Sequence, residues 1–148
     1  MKLMKESEVQ PLIKEGWIRV KGVFEIAGFP EEHINKTIKL LAEKLQKEKI
    51  KVIEQKIHAA KTVSDKMFAS FIEMEFLVTS LSQILGIIYD YLPSSIEIIE
   101  PHDPISDDPL AMTELMNDLI ARLHKYSQTI QGLSAQNNIL KQQLKQKK

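Results

Sequence analysis

The sequence contains no cysteine. That excludes disulfides, thiolate zinc sites and a thiol nucleophile. Arginine occurs only at Arg19 and Arg122, every other strong base being lysine. Bidentate reading of guanine or phosphate relies on the guanidinium fork, so the composition argues against it. No run approaches the ~18 consecutive apolar residues of a membrane span, and the opening MKLMKESEVQ lacks the apolar core of a signal peptide. The expectation is a soluble, cytoplasmic protein that does not engage a membrane. With 20 basic and 20 acidic residues the formal net charge is zero, so no global field draws the chain toward nucleic acid.

Catalytic signatures are equally scarce. His33, His58, His102 and His124 show no HExxH-type spacing. His102 stands near Asp103, Asp107 and Asp108, which reads as a solvated acidic linker. The glycines are scattered and form no phosphate-cradling loop, and Ser94 and Ser95 lie in no GxSxG elbow. Glu73 and Glu75 share one parity of a strand, where lysines such as Lys21 or Lys56 across the sheet would meet them. The expectation is a protein that is not an enzyme and uses no cofactor, with no catalytic, cofactor-binding or metal site.

What is present is periodicity. Residues 1–16 are mixed and short, and read as a loosely held arm. In 17–28, Ile18, Val20, Phe24 and Ile26 alternate with Arg19, Lys21 and Glu25, the pattern of a half-buried strand with Gly22 as a candidate bulge. Pro30, Glu31 and Glu32 open a helix whose Ile34, Ile38, Leu41 and Leu45 recur at helical spacing. Residues 50–63 predict a strand whose apolar phase slips between Val52 and Ile53, SDK (64–66) a turn, and 67–78 a second strand completing a hairpin. Ser80 with Gln83 forms a capping-box pattern for a helix ended by Pro93, and 94–101 is a short final strand. Strand, helix, strand, strand, helix, strand predicts an α+β, ferredoxin-like βαββαβ domain over 17–101, its two helices on one face of an antiparallel four-stranded sheet. HDPISDDP (102–109) is an acidic linker, and 110–148 a long C-terminal coiled-coil helix.

That last segment has a heptad grammar. Met112, Leu119, Tyr126, Leu133 and Leu140 fall at d, and Met116, Leu123, Ile130, Asn137 and Leu144 at a. Within LSAQNNILKQQL, Asn137 interrupts the leucines. A polar a residue lowers stability but bonds its counterpart across a parallel, in-register pair, and other registers leave it unpaired. These ten residues are the expected oligomerisation seam, most simply of a homodimer. Leu115 at g and Ile120 at e widen the stripe near its start. Together with Ile87 and Tyr91 of the preceding helix, which is apolar nearly all round, they are the expected helix-docking contacts.

GVFEIAGFPEEHINKTIKLLAEKL leading into a hairpin, with YDYLPSSIEIIEP closing the domain, resembles an uncharacterised archaeal family and, in general pattern, the ACT-like version of the ferredoxin-like fold. The resemblance covers 17–101. It implies an amino-acid site at the loop after the first strand, here Gly28–Phe29–Pro30, between paired domains, although the Asp-x-Pro-Gly-type turn of that family is missing. No site residue is carried over.

Three functions follow as expectations. The first is a non-catalytic assembly or adaptor module that dimerises through its C-terminal helix and engages an unidentified protein partner. The second is an ACT-like small-molecule-sensing regulatory domain. The third is an RNA-binding protein that stacks bases on Trp17 and Phe71 of an open sheet face, against which Glu73 and Glu75 weigh by repelling phosphate.

Overall fold

The structure, a computed structural model, describes residues 2–148. The elements are α1 (Glu6–Lys14), β1 (Ile18–Gly28), α2 (Glu31–Lys47), β2 (Lys51–Ser64), β3 (Met67–Val78), α3 (Leu81–Tyr91), β4 (Ser95–Glu100) and α4 (Pro109–Gln146). They fall into two compact units, residues 1–107 and 108–148. The first is an α+β domain built on one four-stranded antiparallel sheet. Among the described residues no helix is long and apolar enough to cross a membrane.

The strand order is β2-β3-β1-β4. Each β-helix-β connection therefore skips one position: β3 lies between β1 and β2, and β1 lies between β3 and β4. Alternation decides which residues face inward, since successive side chains point to opposite sides of a strand. Ile18, Val20 and Phe24 of β1 join Ile72, Met74, Phe76 and Val78 of β3 in the core. α2 contributes Ile38, Ala42 and Leu45, and α3 contributes Ile84 and Ile87. Ser70 occupies the same side of β3 fully buried, and its hydroxyl donates to the His58 carbonyl at 2.5 Å, so it enters the core satisfied.

Local signals set the helix ends. The Ser80 hydroxyl accepts from the Gln83 amide, while the Gln83 side chain accepts from the Thr79 amide rather than from that of Ser80. α3 ends at Tyr91, two residues before Pro93, with Leu92 in the left-handed region at φ 46°. The Asp107 carboxylate accepts from the amide and hydroxyl of Ser82, both at 2.7 Å, which ties 101–107 back onto the first turn of α3. Ile105 packs against the core from the same segment.

Several expectations are corrected. Within the segment read as an arm, Glu6–Lys14 form a nine-residue helix, α1, whose Val9 is fully buried; residue 1 lies outside the described residues. Its Glu8 side chain accepts from the Lys5 amide, closing its first turn. Gly22 is not a bulge: β1 pairs with β3 without interruption from Ile18 to Gly28, and the irregularity toward β4 falls between Arg19 and Val20. A Cβ at Gly22 would sit 2.8 Å from the Phe24 ring, so glycine is there to make room for that ring. The phase slip in β2 does appear as a register shift between Val52 and Glu54, and two more follow toward its end. Pro109 is the first residue of α4 rather than the last of the linker, with Asp108 as N-cap accepting from the Leu110 and Ala111 amides.

Two measurements test this packing. Gly22→Ala should lower stability by about 1–3 kcal/mol in urea melts, because the added methyl forces the Phe24 ring to move; an unchanged midpoint refutes the close approach. The Tyr91 hydroxyl donates to the Glu48 carboxylate, and burial together with that neighbour pushes its pKa up from 10.0 to about 12. Its contribution is therefore complete below pH 10 and lost as pH rises toward 12, because the unfolded chain gives up the proton first. Absorbance titration should show a late ionising step near pH 12 that Tyr91→Phe removes.

Candidate assembly interface

The face of the sheet opposite α2 and α3 is a self-satisfied array of charged and aromatic side chains. Lys21 pairs in register with Glu75 on one side and Glu97 on the other, Lys56 with Glu73, and His58 with Phe71. Glu73 accepts a 2.8 Å hydrogen bond from His58 Nε2 and lies 4.0 Å from Lys21 Nζ. That hydrogen bond, assisted by nearby Lys21 and Lys56, holds the Glu73 carboxyl below the usual range. A shallow cleft of about 130 Å³ lies among Lys21, Glu54, Lys56, Glu73 and Glu75. Among the described residues no group of three or more His, Cys, Asp or Glu is placed to hold a metal.

At one end of this face Arg19 joins three elements. Its guanidinium donates to Glu6 of α1 at 2.8 Å and to Glu75 of β3 at 2.8 and 3.1 Å, and lies 3.8 Å from Glu100 of β4. Burial works against the Arg19 charge, but the hydrogen bonds it donates to Glu75 and Glu6, with their negative charges, outweigh it, and its pKa is raised. Leu77, in register with Arg19 on this same face, is fully buried. The two aromatics considered for base stacking have neighbours of their own. Phe71 stacks on the His58 ring at 4.1 Å, and Lys51 Nζ lies 5.4 Å above the Trp17 ring. Phe29, in the loop after β1, stands on the surface with its ring 6.5 Å from Phe68.

The second unit is where apolar surface is left over. α4 is one unbroken helix of 38 residues, about 57 Å long, and it contains no buried residue. All ten seam residues lie on it: Met112, Met116, Leu119, Leu123, Tyr126, Ile130, Leu133, Asn137, Leu140 and Leu144. From Met116 to Leu144 every apolar member of the stripe is between 37 and 66% exposed. Asn137 stands in line with them and is exposed as well. A 3.6-residue helix drifts about 20° per heptad against a seven-residue repeat, so covering the whole stripe with one partner requires a left-handed supercoil.

The residues expected to dock helices divide. Ile84, Ile87, Ile88 and Tyr91 form the inward face of α3. Ile87 belongs to the core cluster, and Tyr91 meets Phe24 edge-to-face at 6.4 Å while its hydroxyl reaches Glu48. Ile87 and Tyr91 thus pack inside the domain, because a helix packed on a sheet turns its i, i+3, i+4, i+7 row inward. Leu115 and Ile120 stand on α4 at g and e.

Sequence reasoning missed α1, the Arg19 junction and the His58–Phe71–Glu73 cluster. Val9, Leu12 and Ile13, at spacings of three and four, were a readable sign of α1. The other two depend on cross-strand register and had no local signal.

Gly132 lies at the outer c position of α4, and a Cβ there would meet nothing within 4 Å. Gly132→Ala should stabilise α4 by about 1 kcal/mol, read as a rise in the melting temperature of the helical signal; no rise would mean that another chain lies against this position. No protein family, curated protein sequence or solved structure matches the chain.

Proposed function

We propose that the protein is a non-catalytic assembly module: a ferredoxin-like domain carried on a parallel, two-stranded coiled coil formed by α4 of two copies. The observation that carries this reading is the seam of α4, apolar at heptad spacing along a 38-residue helix with no residue buried. Isolated helices gain little from propensity alone, and most of their stability in proteins comes from packing one face. Burying each leucine or isoleucine of the seam would contribute about 1.5 kcal/mol or more.

Three features favour a parallel pairing. Asn137 meets Asn137 of the second copy at one a layer, whereas an antiparallel pair matching Met112 with Leu144 sets it against Leu119. In a parallel pair each g residue faces the e residue five positions on in the other helix. That brings Leu115 against Ile120 of the second copy and extends the seam sideways at the start of the helix. The remaining g–e partners, Arg122 with Ser127, Thr129 with Ser134, Gln136 with Lys141 and Gln143 with Lys148, set no like charges together. The ferredoxin-like reading of the domain rests on the order β2-β3-β1-β4 with every neighbouring pair antiparallel, each split connection straddling one strand.

Light scattering after size exclusion tests the reading on three chains: the full chain, a chain ending at Asp108, and Asn137→Leu. The full chain should have the mass of a dimer and the truncated chain that of a monomer. Asn137→Leu should melt at a higher temperature and populate more than one oligomeric state, since the register constraint is gone. A monomeric full chain at tens of micromolar overturns the proposal.

A further inference from the structure

The zero net charge conceals a division along the chain. From 67 to 121 there are ten acidic residues and no lysine or arginine. From 119 to 148 the order reverses, with no acidic residue and with Arg122, Lys125, Lys141, Lys145, Lys147 and Lys148. Arg122 is engaged by Asp118 through a 3.2 Å hydrogen bond, so the basic end proper is 141–148. Lys141 and Lys145 stand one turn apart on the helix, Lys147 is its C-cap and Lys148 follows its end, all exposed. Cations near a helix C-terminus complement the helix dipole, but that effect is confined to the last turn. It does not account for the loss of every carboxylate over 30 residues.

We infer that the distal end of α4 binds the phosphate backbone of nucleic acid, without sequence preference. The inference goes beyond the proposed dimer but rests on it for the doubling of the basic end. Three chemical facts choose this occupant. First, the bases there are lysines, compact point charges that bind phosphate without the bidentate reading of bases that arginine supplies. Second, the other outward side chains between 127 and 146 are mostly serine, glutamine and asparagine, which hydrogen-bond phosphate and sugar oxygens. Third, the outer positions of 121–148 carry only Ala121, Ala135 and Ile139 as apolar residues, because the rest form the seam. An interfacial membrane helix needs a broad apolar face beside its lysines, and pairing of the seam removes the one this helix has. Absence of carboxylates over this stretch matters as much as the lysines, since none repels a polyanion lying along the helix.

The test is fluorescence anisotropy of the full chain with a labelled DNA duplex of about three helical turns, across a salt series. Three variants accompany it: the triple reversal Lys141→Glu, Lys145→Glu, Lys148→Glu; a control triple reversal on α2, Lys36→Glu, Lys39→Glu, Lys47→Glu; and Lys141→Gln, Lys145→Gln, Lys148→Gln. Three lysines on phosphates predict a slope of log affinity on log salt of about −2.7, hence about 40-fold weaker binding at 200 than at 50 mM salt. Reversal on α4 should abolish binding, the glutamine variant should reduce it at least tenfold, and the α2 control should leave it within twofold of the parent. No binding at 50 mM salt, or equal loss in the α2 control, overturns the inference. So does capture by vesicles of anionic phospholipid in preference to the duplex. Light scattering of the same samples separates the two claims. A monomer that binds duplex with this slope refutes the dimer and leaves the basic end standing; a dimer indifferent to duplex does the reverse.

Discussion

A helix of 38 residues that buries none of them is the constraint from which the rest of this molecule is understood. Its interior hydrogen bonds are local, but fixing the backbone of each residue costs about 1–2 kcal/mol, and helix formation by itself offsets this only marginally. Gly132, together with Thr129, Ser127, Ser134, Asn137 and Asn138, lowers the intrinsic propensity of the distal half. In the proposed pairing, burial of its leucine and isoleucine stripe would sustain the helix. That stripe is two residues wide per heptad, the width another helix covers and narrower than the face of α2 or α3 that meets a sheet.

The polar groups of the domain largely satisfy one another. Arg19 joins α1, β3 and β4 through carboxylates drawn from all three. At such a partly buried junction the loss of the guanidinium would set three carboxylates near one another, so like-charge repulsion would add to the lost hydrogen bonds. Further along the face, Lys21, His58 and Glu73 satisfy each other, while Phe71 is stacked on His58. Surface pairs of this kind contribute little stability individually. Their effect is to keep an open sheet face polar and balanced, so that the exposed apolar surface of the chain is concentrated on α4 instead.

How much of this was legible in the sequence depended on whether the signal was local. Strand parity in 17–28 identified the core residues of β1, because alternation with a buried face leaves little ambiguity. The phase slip at Val52–Ile53 and the Ser80 cap were legible for the same reason: each is a departure from, or punctuation of, a short pattern. Gly22 was misread, since a glycine in a strand signals either a bulge or a close approach, and only the position of the Phe24 ring decides between them. An all-apolar helix has no evident inner side in the sequence; in α3 the row Ile84, Ile87, Ile88 and Tyr91 packs on the core. Arg19 was legible only as a scarce residue. Its three partners come from positions 6, 75 and 100, and no local pattern brings them together. On α4 the heptads were plain in the sequence, whereas the division of charge was obscured by its own sum.

The composition of the seam also limits what could pair with it. Coiled coils commonly select partners through charges at e and g, and here only Arg122, Lys141 and Lys148 occupy those positions. Electrostatics therefore rejects few candidates, and selectivity falls to Asn137. An incoming helix that lacks a polar residue at that layer would strand two hydrogen-bonding groups of the amide in an apolar environment, at a cost of about 1–3 kcal/mol. A second copy of this chain meets the requirement automatically, in one register and one orientation. A different helix could meet it only with an asparagine of its own at the matching a position and apolar residues opposite Leu115 and Ile120. Under the proposed pairing the seam would be permissive about charge and exacting about that single layer, a requirement that an identical helix meets.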